Sequence, residues 1–156
     1  MSSRRTLLGV MASAVLVGGL ADVSPAEAQP NPATAMRLGL KGYDPVAYII
    51  LGAATPGVTN YEVIWDSVRY RFANARHRDL FKTDPDTYLP QFGGQCAMNM
   101  ANGNLREAAP TIWTISNGRL YVFASAAGSE RFRQETAANA ARAAANWRNL
   151  RNATTQ

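Results

Sequence analysis

The hydrophobic and polar positions of the chain predict two β-hairpins, the first in residues 61–72. Its second arm alternates Val68, Tyr70 and Phe72 with arginines, which is typical of a strand with one buried and one solvated face. Residues 66–67 predict the turn between the two arms. We therefore expect an antiparallel pair of strands here.

A second hairpin is predicted in residues 111–123. Its two apolar arms flank Asn117 and Gly118, a strong hairpin signal because both positions of this turn need a positive φ. The preceding segment, 91–104, combines three glycines, two methionines and a cysteine. Its pattern is too irregular to predict a helix.

Short helices are predicted where a capping side chain precedes a proline or an apolar run. Asp44 before Pro45 favours a helix start, because the carboxylate accepts hydrogen bonds from free N–H groups and proline suits the first turn. Asn74 and Asp84 predict two further starts in the same way. The predicted short helices cover residues 45–51, 75–82 and 85–88.

The C-terminal segment predicts one long, alanine-rich helix over residues 129–150. Its apolar positions recur at spacings of three and four and form a single stripe, made of Phe132, Thr136, Ala140, Ala143, Trp147 and Leu150. Together these elements predict an α+β fold, in which small antiparallel hairpins pack with short helices and a long C-terminal helix.

Residues 1–28 have the three parts of a bacterial secretory signal. Arg4 and Arg5 form a positive start, residues 7–20 are apolar, and small residues at 26 and 28 suit cleavage after Ala28. The apolar run is shorter than the roughly 20 residues of a membrane-spanning helix. The paired arginines favour twin-arginine export of a folded protein over an ordinary secretory signal. We expect a periplasmic or secreted protein without a stable membrane span.

Cleavage would leave one domain of ordinary length. We assign residues 29–37 to a flexible lead-in, 38–150 to the domain and 151–156 to a tail. The formal net charge of +5 comes almost entirely from arginines scattered along the chain. Scattered charge indicates a solvated surface, and we expect no nucleic-acid partner.

Cys96 is the single cysteine of the chain, which excludes an intramolecular disulfide. A lone thiol in an oxidising compartment is a liability unless it is buried, ligated or used chemically. The cysteine is therefore the first candidate for function. A small buried apolar side chain is the structural alternative.

Four segments carry a recognisable pattern: GYDPVAY at 42–48, YRFANARHRDLFKTDPDTYLPQFGGQCA at 70–97, WTISNGRLYVF at 113–123 and NW at 146–147. With them the chain resembles the exported single-domain branch of the YHS domain family. The resemblance spans roughly residues 38–150. It implies a YHS-like fold and a role in handling transition metals.

The metal-transporting members of that family have cysteines at three positions that are Ala47, Ala73 and His77 in this chain. The resemblance therefore retains only His77 as a ligand there. The exported branch has its own cysteine after paired glycines, matched here by Cys96, and some members resemble this sequence with selenocysteine at that position. By resemblance, Cys96 is the functional candidate.

A soft-metal site is one hypothesis for these residues. If residues 96–100 are extended, Cys96, Met98 and Met100 point to one side and form a sulfur set suited to Cu(I), which His77 could complete. The paired glycines would let backbone N–H groups approach the sulfur and lower the pKa of the thiol. The alternatives are that the methionines fill the core and that His77 lies on the surface.

Three functions remain open from the sequence. The first is a non-enzymatic carrier of a soft transition metal, copper foremost, held by Cys96. The second is a thiol redox enzyme in which Cys96 is the catalytic residue. The third is a non-catalytic structural or partner-binding domain, whose partner would be another protein of the cell envelope.

Overall fold

The computed structural model of the protein describes residues 36–154. The predicted export signal, most of the lead-in and the last two residues lie outside the described residues. Within them the fold class is α+β, as predicted from the sequence.

Both predicted hairpins are confirmed, and each contributes to its own small sheet. The first sheet has the order β1-β3-β2, with β1 parallel and β2 antiparallel to β3, and the second is the antiparallel pair β4-β5. Asn117 and Gly118 have φ values of 50° and 71°, as the predicted turn requires. The strands are β1 (Arg37–Leu38), β2 (Val58–Trp65), β3 (Val68–Phe72), β4 (Ala109–Ser116) and β5 (Arg119–Phe123).

Six α-helices surround the sheets in residues 36–154: α1 (Pro45–Ile50), α2 (Ala75–Thr83), α3 (Pro85–Tyr88), α4 (Ala97–Ala101), α5 (Ala126–Gln134) and α6 (Thr136–Thr154). Two of the predicted caps are present. Asp44 accepts hydrogen bonds from the backbone N–H groups of Val46 and Ala47 at the start of α1, and Asn74 accepts one from the N–H of His77 in α2.

The prediction of one unbroken helix over 129–150 is wrong. The chain leaves the helical conformation at Glu135, which has φ −138° and ψ 58°, so that α5 and α6 are separate. The buried amide of Asn139 donates hydrogen bonds to the carbonyls of Arg131 and Phe132 at the end of α5. These bonds satisfy carbonyl groups that the break leaves without helical partners.

The expectation that residues 91–104 form no helix is also wrong. A 3-10 turn over Gln91–Gly94 precedes α4, and α4 packs mainly on α6, α5 and β5. Tertiary packing stabilises a helix that is too short to persist alone. It also places Cys96 at the start of α4 in a hydrophobic cluster with Phe92 and Phe132.

The stripe predicted for the C-terminal helix does face the interior. Ala143 is fully buried, and Ala140, Trp147 and Leu150 pack around the cluster that contains Cys96. A second cluster lies between α1 and the β4-β5 sheet, and a third, around Phe72 and Phe81, lies between the first sheet and α2. In the described part of the chain, no helix is both long enough and apolar enough to cross a membrane.

Candidate functional site

Cys96 is deeply buried, with only 1% of its surface exposed. Its N–H donates to the carbonyl of Arg106 over 2.8 Å, and its carbonyl accepts from the N–H of Met100 over 2.9 Å. Within residues 36–154 no hydrogen bond reaches its Sγ. The thiol therefore lies in an apolar environment with aromatic neighbours, as the structural alternative predicts.

The paired glycines before Cys96 serve a different purpose from the one expected. A Cβ at Gly93 would lie 3.2 Å from the ring of Trp147, and a Cβ at Gly94 would lie 3.6 Å from side-chain atoms of Leu40 and Pro90. Both glycines have a positive φ, of 60° and 78°. They allow a left-handed turn and close packing on Trp147, and they do not direct N–H groups at the sulfur.

The extended conformation of residues 96–100, on which the four-ligand hypothesis is conditional, is not formed, because α4 begins directly after Cys96. Cys96 is the residue before the first turn of α4, and its carbonyl accepts a hydrogen bond from the N–H of Met100. Met100 is fully buried, and Met98 is partly buried beside Gly128. The structure thus places Cys96 and Met100 in one buried cluster, with Met98 packed against its edge.

His77 is a buried residue, and the alternative of a surface histidine is wrong. Only 5% of its surface is exposed, and its Nδ1 lies 2.6 Å from Oδ2 of Asp44. Its helix α2 packs mainly on α1, α3 and the β2-β3 hairpin, whereas α4 packs on the C-terminal helices. The structure does not bring His77 to the cluster that contains Cys96.

Asp44 is the centre of the site around His77. Oδ1 caps α1 by accepting from Val46 and Ala47, and Oδ2 accepts from the N–H of Ala73 over 2.9 Å in addition to the imidazole. Ala47, Ala73 and His77, which the sequence already indicated, therefore meet at one carboxylate. Their convergence on Asp44 is visible only in the structure.

Among the described residues, Asp44 and His77 do not belong to a larger set of metal-binding side chains. In residues 36–154, no group of three or more His, Cys, Asp and Glu side chains is arranged to hold a metal ion. Asp44 and His77 form a pair, and their neighbours at positions 47 and 73 are alanines.

A groove of about 930 Å³ opens where the first sheet, the segment after α3 and the last turns of α6 meet. We call it the arginine–tryptophan groove, after Arg37, Arg119, Arg148, Arg151, Trp65 and Trp147 in its lining. The sequence did not predict this groove. The one available signal was the spacing of Ala144, Trp147, Arg148 and Arg151, which places these four residues on the same face of a helix.

The charges of the groove are unbalanced. Four arginines and two aspartates, Asp66 and Asp86, line it, which gives a formal excess of two positive charges. In residues 36–154, neither Arg119 nor Arg148 forms an ion pair with a carboxylate. Arg37 donates from Nη2 to the carbonyl of Gly93 over 3.0 Å, which places its guanidinium at the groove wall.

Tyr70 forms part of the same wall from within the first sheet. Burial raises the pKa of the Tyr70 phenol to about 12. Two nearby charges have smaller effects: Arg37 lowers this pKa, and Asp66 raises it. The hydroxyl therefore stays protonated at neutral pH.

No protein-family model, curated protein or solved structure matches this chain.

Proposed function

We propose that this chain is a non-catalytic binding domain that holds a small ligand in the arginine–tryptophan groove. The observation that carries the proposal is the composition of the groove: two tryptophans and several cationic side chains face one concavity of about 930 Å³. Small-molecule sites are typically concave, mostly apolar, and supplied with a few converging polar groups. The groove is concave, and its lining combines apolar and aromatic side chains with charged ones.

The side chains in the groove favour binding over catalysis. Among the described residues that line it there is no cysteine, histidine, serine or lysine. The remaining candidate nucleophiles, its two aspartates and Tyr70, have no histidine among the described lining residues to serve as their base. Cys96 is buried in a separate apolar cluster, and His77 is paired with Asp44. The residues with the most reactive side chains therefore lie outside the groove.

We further propose that the chain is an exported member of the YHS domain family. The convergence of Ala47, Ala73 and His77 on Asp44 supports this assignment, because positions that supply the ligands of one metal site in other members must lie close together. In this chain two of the three positions are alanines, Ala47 and Ala73. The hydrogen-bonded pair of His77 and Asp44 takes the place of a cluster of thiolates.

Indole N–H signals in NMR spectra provide a test of groove binding with an internal control. Trp65 and Trp147 line the groove, whereas Trp113 packs edge-on against Tyr48 with ring centroids 5.3 Å apart. We expect ligands found in a fragment screen to shift the signals of Trp65 and Trp147 and to leave Trp113 in place. A screen in which no fragment shifts the two groove signals selectively would contradict the proposal.

Two leucines of nearly equal exposure provide matched variants for the same screen. Leu105, 59% exposed, lines the groove, and Leu51, 57% exposed, does not. Leu105→Ala is expected to weaken fragment binding by about threefold, from the loss of apolar contact at a partly exposed site. Leu51→Ala is expected to leave the affinity unchanged, and equal effects of the two substitutions would argue against the groove as the site.

A soft metal ion bound by Cys96 is a second candidate function. The observation that favours it is the location of Cys96 and Met100, both buried in one cluster and one helical turn apart. A thiolate and a thioether are soft ligands suited to Cu(I). Native mass spectrometry after Cu(I) addition should then show one bound ion, which Cys96→Ala abolishes and Met100→Leu weakens. Equal copper binding by the protein and Cys96→Ala would rule out this candidate.

A further inference from the structure

We propose that the ligand of the arginine–tryptophan groove is a small organic anion with a flat, apolar body. This inference rests on the proposed binding function and specifies the chemistry of the ligand. It follows from the charges of the groove, from the location of its tryptophans and from the composition of the adjoining chain.

The charge argument concerns Arg119 and Arg148. Arg119 begins β5, and Arg148 lies in α6, yet both side chains reach the same groove. Neither is neutralised by a carboxylate within residues 36–154. A guanidinium binds a carboxylate or sulfonate through two parallel hydrogen bonds and also stacks on aromatic rings. Two such groups at one concavity favour an anionic ligand.

The two tryptophans favour a flat ligand because neighbouring groups hold both rings. Trp147 packs against Gly93, which lacks a Cβ where the ring approaches most closely. Trp65 packs edge-on against Phe81, with ring centroids 6.3 Å apart, and remains 41% exposed. Aromatic surfaces that are held in place and face an open volume are suited to stacking with another ring system.

The volume favours a small molecule. A groove of about 930 Å³ is at the upper end of the range for small-molecule sites, roughly 300–1,000 Å³. The lead-in segment of this chain, which is continuous in sequence with Arg37 of the groove, is the other candidate occupant. Its residues 29–35 contain no acidic side chain to match the arginines. An external anion would neutralise the arginines of the groove. The lead-in residues 29–35 would not, because they carry no negative charge.

The test compares 2-naphthoate with 2-naphthamide, which has nearly the same shape but no charge. Binding to the purified protein is followed by the indole signals of Trp65 and Trp147. We expect 2-naphthoate to bind at least about fivefold more tightly, since each exposed charge pair contributes about two- to fivefold. Raising the salt concentration should reduce this difference, because salt screens exposed charges.

Arginine variants separate a groove effect from an effect of net charge. Arg119→Gln and Arg148→Gln are each expected to weaken 2-naphthoate binding about two- to fivefold and to weaken 2-naphthamide binding less, since only the naphthoate loses a charge pair. The control is Arg131→Gln, which removes an equal charge from an exposed position on α5 outside the groove. It should alter neither affinity.

Each result has a distinct meaning. If both probes shift the groove tryptophans with equal affinity and the arginine variants have no effect, the groove binds ligands but the anion proposal is overturned. If neither probe shifts those signals, the proposed groove function is contradicted as well. If the probes bind only after deletion of residues 29–35, the lead-in is the occupant and the external anion is excluded.

Discussion

His77 and Asp44, 33 residues apart in the chain, are joined by a contact of 2.6 Å between Nδ1 and Oδ2 in the buried interior. The same carboxylate caps α1 and accepts a hydrogen bond from the end of β3. Asp44 thus connects a strand and two helices through one side chain. The Asp44–His77 pair therefore holds α1, α2 and the end of β3 together.

Replacing Asp44 should destabilise the domain strongly. Asp44→Ala leaves buried N–H donors of α1, Ala73 and His77 without an acceptor, and each unsatisfied buried donor costs about 1–3 kcal/mol. We expect the free energy of unfolding, measured with urea, to fall by at least about 3 kcal/mol. Asp86→Ala, at an exposed position, should change it by less than about 0.5 kcal/mol. Similar effects of both substitutions would contradict the central role of Asp44.

The thiol of Cys96 should react slowly in the folded protein. At 1% exposure it is accessible to an aromatic disulfide reagent only when the structure opens locally. We expect the labelling rate under native conditions to lie at least a hundredfold below the rate in urea, measured by absorbance of the released thiolate. Fast labelling of the folded protein would instead favour the redox alternative, since catalytic thiols are reactive and accessible.

Gly93 and Gly52 allow backbone strain and side-chain crowding to be measured separately. Both have a positive φ, of 60° and 62°, but a Cβ at Gly52 would meet nothing within 4 Å, whereas one at Gly93 would meet Trp147 at 3.2 Å. Gly52→Ala should cost about 1–2 kcal/mol from left-handed strain alone. Gly93→Ala should cost more and should shift the tryptophan fluorescence. Equal costs without a spectral shift would mean that Trp147 moves away freely.

Stability should fall in alkaline solution because of Tyr70. Burial raises its pKa from the usual 10.0 to about 12, so above pH 10 the unfolded chain loses this proton while the folded chain retains it. The stabilisation is fully present below pH 10 and is lost as the pH rises toward 12, with a slope approaching about 1.4 kcal/mol per pH unit. Burial raises the pKa of Tyr48 as well, which adds to the loss in the same direction.

The measurement is urea unfolding at several pH values between 9 and 12, compared with Tyr70→Phe. This variant lacks the phenol and should show a shallower loss of stability over the same range. An unchanged pH dependence in Tyr70→Phe would show that Tyr70 does not cause the loss.

Local chemistry accounts for the elements that were predicted correctly from the sequence. Asp44, Asn74 and the Asn117-Gly118 turn act within a few residues of themselves, so their effects are visible in the sequence. The alternation of buried and partly exposed positions around Tyr70 and Phe72 is likewise visible within a few residues of the sequence. The candidate site was only partly predictable: the sequence identified Cys96 and His77 but not their burial in different parts of the domain.

The sequence by itself determined the α+β class, both hairpins, the caps Asp44 and Asn74 and the single thiol, because short-range patterns specify them. Tertiary structure alone decided the burial of His77 against Asp44, the helix that follows Cys96 and the break at Glu135. It also decided the groove, whose lining runs from Arg37 to Arg151. The physical reason is that the His77–Asp44 pair, the helix after Cys96 and the groove depend on partners far away in the chain, which only the packed fold brings together.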